Sequence, residues 1–89
     1  MRAIITVVGK DMVGILAKVS GICADNNVNI IEVTQSIMQD MFCMIMMADI
    51  TDSTVDFAAF ADRLEQYGKD NRLAIHTMHE EIFNSMHRI

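Results

Sequence analysis

The residues with the clearest chemical potential are Gly9 and Gly14, which flank a junction between an apolar stretch and an amphipathic one. Glycine has no Cβ and tolerates positive φ, so the backbone between them can approach a ligand closely. The first amides of a following helix lack intrahelical partners and lie at the positive end of the helix dipole. The junction is therefore suited to a small anionic or zwitterionic ligand, with Asp11 available for a cationic group.

A structural interpretation explains the same residues without a ligand. Gly9 would end the strand, Asp11 would cap the helix, and Gly14 would ease the packing of the helix on the sheet. The spacing is the same in both interpretations, so the sequence leaves both open.

The composition limits the classes of partner. The chain has 89 residues, 52% of them hydrophobic, and a formal net charge of −5. A domain this small builds only a marginal core, so that much apolar surface favours self-association, most simply a homodimer. The cations are scattered along an acidic chain, which argues against a nucleic-acid partner and against binding to an anionic membrane.

Targeting and redox features predict a cytoplasmic protein. The longest apolar run, 41–48, is too short to span a bilayer, and the N-terminal residues do not resemble a signal peptide. Cys23 and Cys43 form no C-x-x-C motif, and we interpret both as small buried hydrophobic residues in a reducing compartment. A disulfide between them is the alternative.

Hydrophobic periodicity predicts a single domain over residues 1–89. Alternating and β-branched stretches predict strands, and apolar residues at helical spacing predict helices. The predicted strands cover 2–8, 29–38, 41–50 and 73–78, and the predicted helices cover 12–26, a segment starting at 52–54, and 80–89. This order, β-α-β-β-α-β with an extra C-terminal helix, indicates an α+β, ferredoxin-like sandwich with a four-stranded antiparallel sheet.

The distribution of apolar residues also predicts the layers. The strands at 2–8 and 41–50 are apolar on both faces, so both are expected at the centre of the sheet. Right-handed crossovers put both long helices on one face. We expect the C-terminal helix and an identical subunit to cover the other face.

Local signals predict where individual elements begin and end. Ser53 followed by Asp56 resembles a capping box at the start of the second helix, and Gly68 is predicted just beyond its C-terminal end. In the strand at 29–38, Ile31, Val33 and Ile37 are predicted to share one face.

Residues 2–78 as a whole resemble an ACT domain, a small-molecule-sensing module. The resemblance rests on the strand ending at Val8, on the turn from Asp11 to Ile15, and on Asn29 followed by Ile30. The turn is similar to the Asp-x-Pro-Gly-(Ile/Val/Leu) pattern of the family. The start of the chain and its closing helix resemble free-standing bacterial ACT proteins of unassigned function, which are similar in turn to the ACT domains of glycine-cleavage repressors.

The resemblance implies a ligand site. ACT domains commonly bind amino acids at a subunit interface, through the loop after the first strand and an Asn at the start of the second strand. Carried over by position, the ligand-binding residues would be Gly9, Asp11, Met12, Val13, Gly14, Ile15, Asn29 and Ile30. Val13 stands where the family often has Pro, which would stiffen the loop. Gly9 stands where some serine-binding members have a polar side chain, so the identity of the ligand stays open.

Other functional classes lack the residues they need. His76 and His79 are three apart on a strand and would point to opposite faces, so they do not form a metal site. The methionines of 41–47 are interpreted as packing residues. The loop after the first strand has neither the cysteine pair of metallochaperones of this fold nor the arginine of acylphosphatases. Phe42 is the only aromatic residue in a predicted strand, unlike RNA-binding domains of this topology.

Together these features predict a non-catalytic regulatory module with no cofactor and no metal. It would bind an amino acid as a homodimer, and a regulated partner protein would respond to the bound state. The alternative is a constitutive dimerisation scaffold of the same fold with an empty site.

Overall fold

The computed structural model describes residues 1–10 and 14–86. Within them, one antiparallel sheet of strand order β2-β3-β1-β4 is combined with three helices. The elements are β1 (Arg2–Gly9), α1 (Ile15–Asp25), β2 (Asn29–Met38), β3 (Met41–Asp49), α2 (Phe57–Asp70), β4 (Ala74–His79) and α3 (Glu80–Met86). The predicted ferredoxin-like α+β fold and its order of elements are confirmed. None of these helices is both long and apolar enough to cross a bilayer.

The core lies between the sheet and the two long helices. β1 and β3 occupy the centre of the sheet, as predicted. Because side chains alternate across a strand, Ala3, Ile5 and Val7 share one face of β1 and point into this core. Its most completely buried side chains come from both central strands and both long helices: Ile5, Val7, Val19, Cys23, Met44, Met46, Phe60 and Leu64.

The opposite side of the sheet, called the open face below, is covered only in part. It carries the alternate residues of the central strands, Ile4, Thr6 and Val8 of β1 and Met41, Cys43 and Ile45 of β3. Ile4 is only 2% exposed although it lies outside the core, and α3 contacts both β1 and β4. At the start of α3, Glu80 Oε1 accepts a hydrogen bond of 2.7 Å from Arg2 Nη2. Met41 and Ile45 remain exposed.

The helix α1 begins later than the sequence predicts. It starts at Ile15, and Gly14 rather than Asp11 occupies the N-cap position. Ile15, Val19 and Cys23 are buried along its inner side, whereas Leu16, the residue after Ile15, is exposed.

The helix α2 also begins later than predicted, at Phe57. Asp56 is its N-cap, and Asp56 Oδ1 accepts a hydrogen bond of 2.8 Å from the amide of Ala59. Ser53 Oγ instead donates to the carbonyl of Val55 at 2.7 Å. The predicted Ser53 capping box is therefore wrong, because this hydroxyl bonds locally in the preceding turn.

Gly68 lies inside α2 and does not follow it. The helix continues to Asp70, and a Cβ on Gly68 would come within 2.8 Å of the carbonyl oxygen of Leu73. The prediction that Gly68 ends the helix is wrong, since the glycine serves close packing against the start of β4. The positive φ of this turn is found at Arg72, with φ +59°.

The strand β2 contains a bulge that the sequence did not reveal. The register with β3 shifts between Ile30 and Glu32, so Ile31 interrupts the alternation. Val33 packs against the core, whereas Ile31 and Ile37 are exposed. The expected common face holds for Val33 and Ile37, which pair with the core-facing residues Met46 and Phe42 of β3, and the bulge removes Ile31 from it.

Candidate ligand-binding site

Gly14 owes its identity to backbone conformation. Its φ of +74° is in the left-handed region that side chains rarely adopt, and no described atom lies within 4 Å of the place a Cβ would take. The expectation that Gly14 eases helix–sheet packing is therefore wrong. Among the described residues, α1 has no side-chain cap and no acidic residue in its first turn, so its first amides suit an anionic group.

Gly9 is required by packing. It is buried at the end of β1, and a Cβ there would overlap the side chain of Leu73. The structural interpretation of this glycine is thus sufficient to explain it, and only its backbone is available to a ligand.

The remaining loop and strand residues divide into two groups. Ile15 is buried in the core, so its side chain is not free to contact a ligand, whereas Ile30 packs against the core and is only partly buried. Asp11, Met12 and Val13 lie outside the described residues, and their assignment to the site stays a prediction.

Asn29 has an exposed side-chain amide that makes no hydrogen bond to the described part of the chain. The side chain of Asn26 donates to the carbonyl of Ile22 at 2.8 Å, and that of Asn27 donates to the carbonyl of Asp52 at 2.9 Å. The Asn29 side chain has no hydrogen-bond partner among the described residues. Of these three asparagines, it is the one whose amide is available to a ligand.

The surroundings of Asn29 are acidic. It lines a cavity of about 440 Å³ together with Ala24, Asn27, Val28, Asp49 and Asp52. The Thr51 hydroxyl and amide both donate to Asp49, at 2.6 and 2.9 Å, and hold the pKa of the Asp49 carboxyl below its usual value. Asp49 therefore stays ionised at neutral pH and favours a cationic group in this cavity.

The carboxylates of Asp49 and Asp52 were missed in the sequence analysis. Asn29 pairs directly with Asp49 in the antiparallel β2–β3 hairpin. The predicted hairpin already indicated this proximity, because in an antiparallel pair the first residue of one strand lies beside the last residues of the other.

The two halves of the predicted site lie at opposite ends of the sheet. Asn29 pairs with Asp49 and Gly9 pairs with Phe42, seven residues apart along β3. At about 3.3 Å per residue this separates the halves by about 23 Å. A single chain therefore does not bring Asn29 and the loop between Gly9 and Gly14 around one small ligand.

The other sequence candidates are dispersed. His79 stacks on Phe57 with ring centroids 4.0 Å apart, and His76, three residues earlier in β4, is exposed. Cys23 is buried in the core, Cys43 lies on the open face, and both are free thiols. Among residues 1–10 and 14–86, no three His, Cys, Asp or Glu side chains are grouped as metal ligands would be.

The fold and the two candidate segments define the class of the protein. It is a ferredoxin-like sandwich with a glycine-bearing loop after β1 and a free amide at the start of β2. A family model described as an ACT domain matches residues 2–78, and the chain therefore belongs to the ACT domain family.

Relatives and solved structures agree with this assignment. The chain is 52% identical over 89 residues to a UPF0237 protein of Clostridium perfringens, with complete coverage of both. An ACT domain protein from Streptococcus pneumoniae matches with a TM-score of 0.81 and 36% identity over 93% of each chain. A proposed glycine cleavage system transcriptional repressor matches with a TM-score of 0.68 over 85% of this chain and 43% of its own, and at 20% identity it shows the fold alone.

Proposed function

We propose that the chain is a non-catalytic regulatory module that binds an amino acid between the two copies of a cytoplasmic homodimer. The observation that carries this proposal is the separation of Asn29 from Gly14. Each half of the candidate site has groups suited to a ligand, and each is incomplete without a second copy of the chain.

The edge strand β2 supports the dimer. It has ten residues, of which only Glu32 is charged, and β3 is its one neighbour in the sheet. Ile37 and Met38 are 61% and 64% exposed. Long apolar edge strands recruit a further strand through their unpaired backbone groups unless charges or a cover prevent it. The β2 strand of a second copy would satisfy those groups and bury these side chains.

A two-fold pairing of β2 strands would complete the site. In an antiparallel pair with its axis between Val33 and Thr34, Asn29 would lie opposite the partner's Met38. Met38 belongs to the Gly9 end of the sheet, because it follows Ile37, and Ile37 and Gly9 both pair with Phe42. α1 begins at that end and contacts β2. Asn29 of one copy would then face the loop before α1 of the other.

The two halves have opposite polarity, as a zwitterion requires. The uncapped first turn of α1 suits a carboxylate, and the cavity with Asp49 and Asp52 suits an ammonium group. Asn29 can donate to the first and accept from the second. The residues 11–13 of the same loop are proposed to complete the enclosure.

Regulation would follow from the shared site. A ligand held by both copies stabilises the dimer geometry that fits it, and a partner protein would recognise that geometry. The size of the effect is limited to the difference in ligand affinity between the two geometries.

A constitutive scaffold is the second candidate function. It is favoured by Gly9 and Gly14, because packing against Leu73 and a φ of +74° explain these glycines without any ligand. The two candidates differ in whether the free protein responds to amino acids.

The first test is thermal unfolding of the protein with each of the twenty amino acids. A ligand at about 100 times its Kd adds about 2.7 kcal/mol of stability, which raises the melting temperature of a domain this size by several degrees. A selective rise supports the amino-acid site. The absence of any rise at millimolar concentrations would contradict it and leave the scaffold as the function.

The second test asks whether the site is shared. Gly14→Asn tolerates the left-handed conformation but projects a side chain into the open space, and Asn29→Ala removes the free amide. Each variant alone should lose the ligand-induced rise in melting temperature. A mixed dimer of the two has one site with both changes and one site with neither. Random pairing in an equimolar mixture makes about half of the dimers mixed, so mixing should restore about a quarter of the wild-type binding capacity measured by calorimetry. Failure of mixing to restore binding would contradict a site formed by two copies.

A further inference from the structure

A separate cavity lies on the open face, at the end of β1 that is remote from Asn29. Its volume is about 580 Å³, within the range of small-molecule sites. Its lining residues are Val8, Gly9, Lys10, Met41, Asn71, Arg72 and Ala74. Val8 and Ala74 are neighbours in the register of β1 and β4, so these two lining residues lie on the side of β3 away from β2, whereas Met41 pairs with Met38 of β2. The dimer proposed above would leave the β4 side of the cavity accessible.

The lining combines apolar and cationic groups. Val8, Met41 and Ala74 provide apolar surface, and Lys10 and Arg72 provide positive charge. None of the lining residues that the structure describes is an acid, although acids outnumber bases in the chain by 12 to 7. This cavity is therefore a local exception to the acidic character of the protein.

Arg72 is distinguished from the other arginines of the described chain by its lack of a partner. Arg2 forms an ion pair with Glu80, and Arg63 Nη2 lies 3.2 Å from Asp25 Oδ2. Arg72 has no ion pair or hydrogen bond among the described residues. It also adopts a φ of +59°, a conformation that glycine or asparagine would adopt at lower cost.

Lys10 forms only a long, exposed ion pair with Asp40. Its Nζ lies 4.0 Å from Asp40 Oδ2, and both side chains are largely exposed. Exposed pairs of this kind contribute little to stability, so an anionic ligand can compete for the ammonium group.

We propose that this cavity binds a small organic anion, a carboxylate or a phosphate monoester that carries a short apolar group. Lys10 and Arg72 bind the anionic head, and the apolar group lies on Val8, Met41 and Ala74. The site shares Gly9 and the start of the following loop with the proposed amino-acid site, but it depends on neither Gly14 nor Asn29.

The test uses defined probes and amide chemical shifts. Hexanoate and hexyl phosphate are titrated into the protein and distinguish a carboxylate head from a phosphate head. Hexanamide lacks the charge, and acetate lacks the apolar group. We expect one or both of the hexyl anions to shift the amides of Val8, Lys10 and Ala74, and both control compounds to bind at least about tenfold more weakly, because a charged hydrogen bond is lost or the apolar contact is missing.

Variants separate binding from folding. Arg72→Gly keeps the positive φ without strain, so the domain should stay folded while its affinity for the bound hexyl anion falls at least about tenfold. Lys10→Gln should weaken binding in the same direction. Lys69→Gln is the control, because it removes one positive charge from the exposed end of α2 without touching the cavity.

Two results would overturn the proposal. One is hexyl-anion binding that is unchanged in Arg72→Gly, and the other is shifts that appear only around Gly14 and Asn29. Gly14→Asn and Asn29→Ala should retain the binding, so that failure of the amino-acid site is seen separately from failure of this one.

Discussion

Asp56 shows how one side chain fixes the start of a helix. Its carboxylate accepts a hydrogen bond from the amide of Ala59, which would otherwise lack an intrahelical partner. Ser53, three residues earlier, bonds only to Val55 in the turn before the helix. The two polar residues therefore contribute to stability by different routes.

We expect Asp56→Ala to lower the free energy of unfolding by about 1 kcal/mol, because a helix cap is lost. Ser53→Ala should change it by about 0.5 kcal/mol or less, as surface substitutions usually do. Denaturant titration of both variants measures the difference. A larger loss for Ser53→Ala than for Asp56→Ala would instead support a cap at Ser53.

Cys23 is the described residue with the largest change in proton affinity. Burial raises the pKa of its thiol from 9.0 to about 11. The folded state therefore holds this proton more tightly than the unfolded state. The stabilisation is complete below a pH of about 9 and is lost as the pH rises from about 9 to about 11.

We expect the free energy of unfolding of the wild type to fall over this pH interval by about 2 kcal/mol more than that of Cys23→Ala, at about 1.4 kcal/mol per pKa unit. Denaturant titrations with a reductant present at several pH values measure both slopes. Cys43→Ala, which changes the half-buried thiol of the open face, should keep the wild-type slope. Equal slopes for the wild type and Cys23→Ala would contradict the prediction.

At the scale of elements, β2 differs most from its neighbours. β1 and β3 are buried between other strands, and β4 is flanked by α2 and α3. β2 forms an edge with a bulge at Ile31 and a mostly exposed surface. It is therefore the element best suited to contact a second copy of the chain.

We expect Ile37→Lys to convert the proposed dimer into a monomer without unfolding the domain, because a charge on an exposed edge strand opposes strand pairing. Ile82→Lys on α3 is the matched control, since Ile82 is 52% exposed and Ile37 is 61% exposed. Sedimentation equilibrium at micromolar concentration measures the mass of each. A wild type that is monomeric there, or an Ile37→Lys variant that stays dimeric, would contradict an interface at β2.

At the scale of the whole molecule, charge and exposed apolar surface are unevenly distributed. The cavity at Asn29 contains two carboxylates, and the cavity at Arg72 contains two cations. The two cavities lie at opposite ends of the sheet, so a two-fold pairing of β2 strands would place one cavity of each polarity at each end of the combined sheet. The proposed sites for a zwitterion and for an anion rest on this local separation of charge within a chain of net charge −5.

The sequence by itself determined the fold class, the order of elements and the central strands. These features depend on the local periodicity of apolar residues and on apolar runs such as 2–8 and 41–50. Both patterns can be recognised in the sequence without knowing which segments pack against each other. The four strands were predicted to within one residue at each end, helped by turn residues at boundaries such as Gln39 and Asp40 between β2 and β3. The family resemblance likewise identified Asn29, whose amide is free among the described residues.

Only the tertiary structure decided why each glycine is present and which residues lie beside Asn29. The side chain of Leu73 explains Gly9, the carbonyl of Leu73 explains Gly68, and a positive φ explains Gly14, although all three look alike in a sequence. The bulge at Ile31 and the acids beside Asn29 depend on the register between strands. The distance of about 23 Å between Gly9 and Asn29, the two halves of the proposed site, is also a property of the sheet, because the pairing of both strands with β3 sets it. Contacts between segments that are distant in sequence determine the packing of the glycines, the strand register and the distance between the two halves, and local sequence patterns do not describe those contacts.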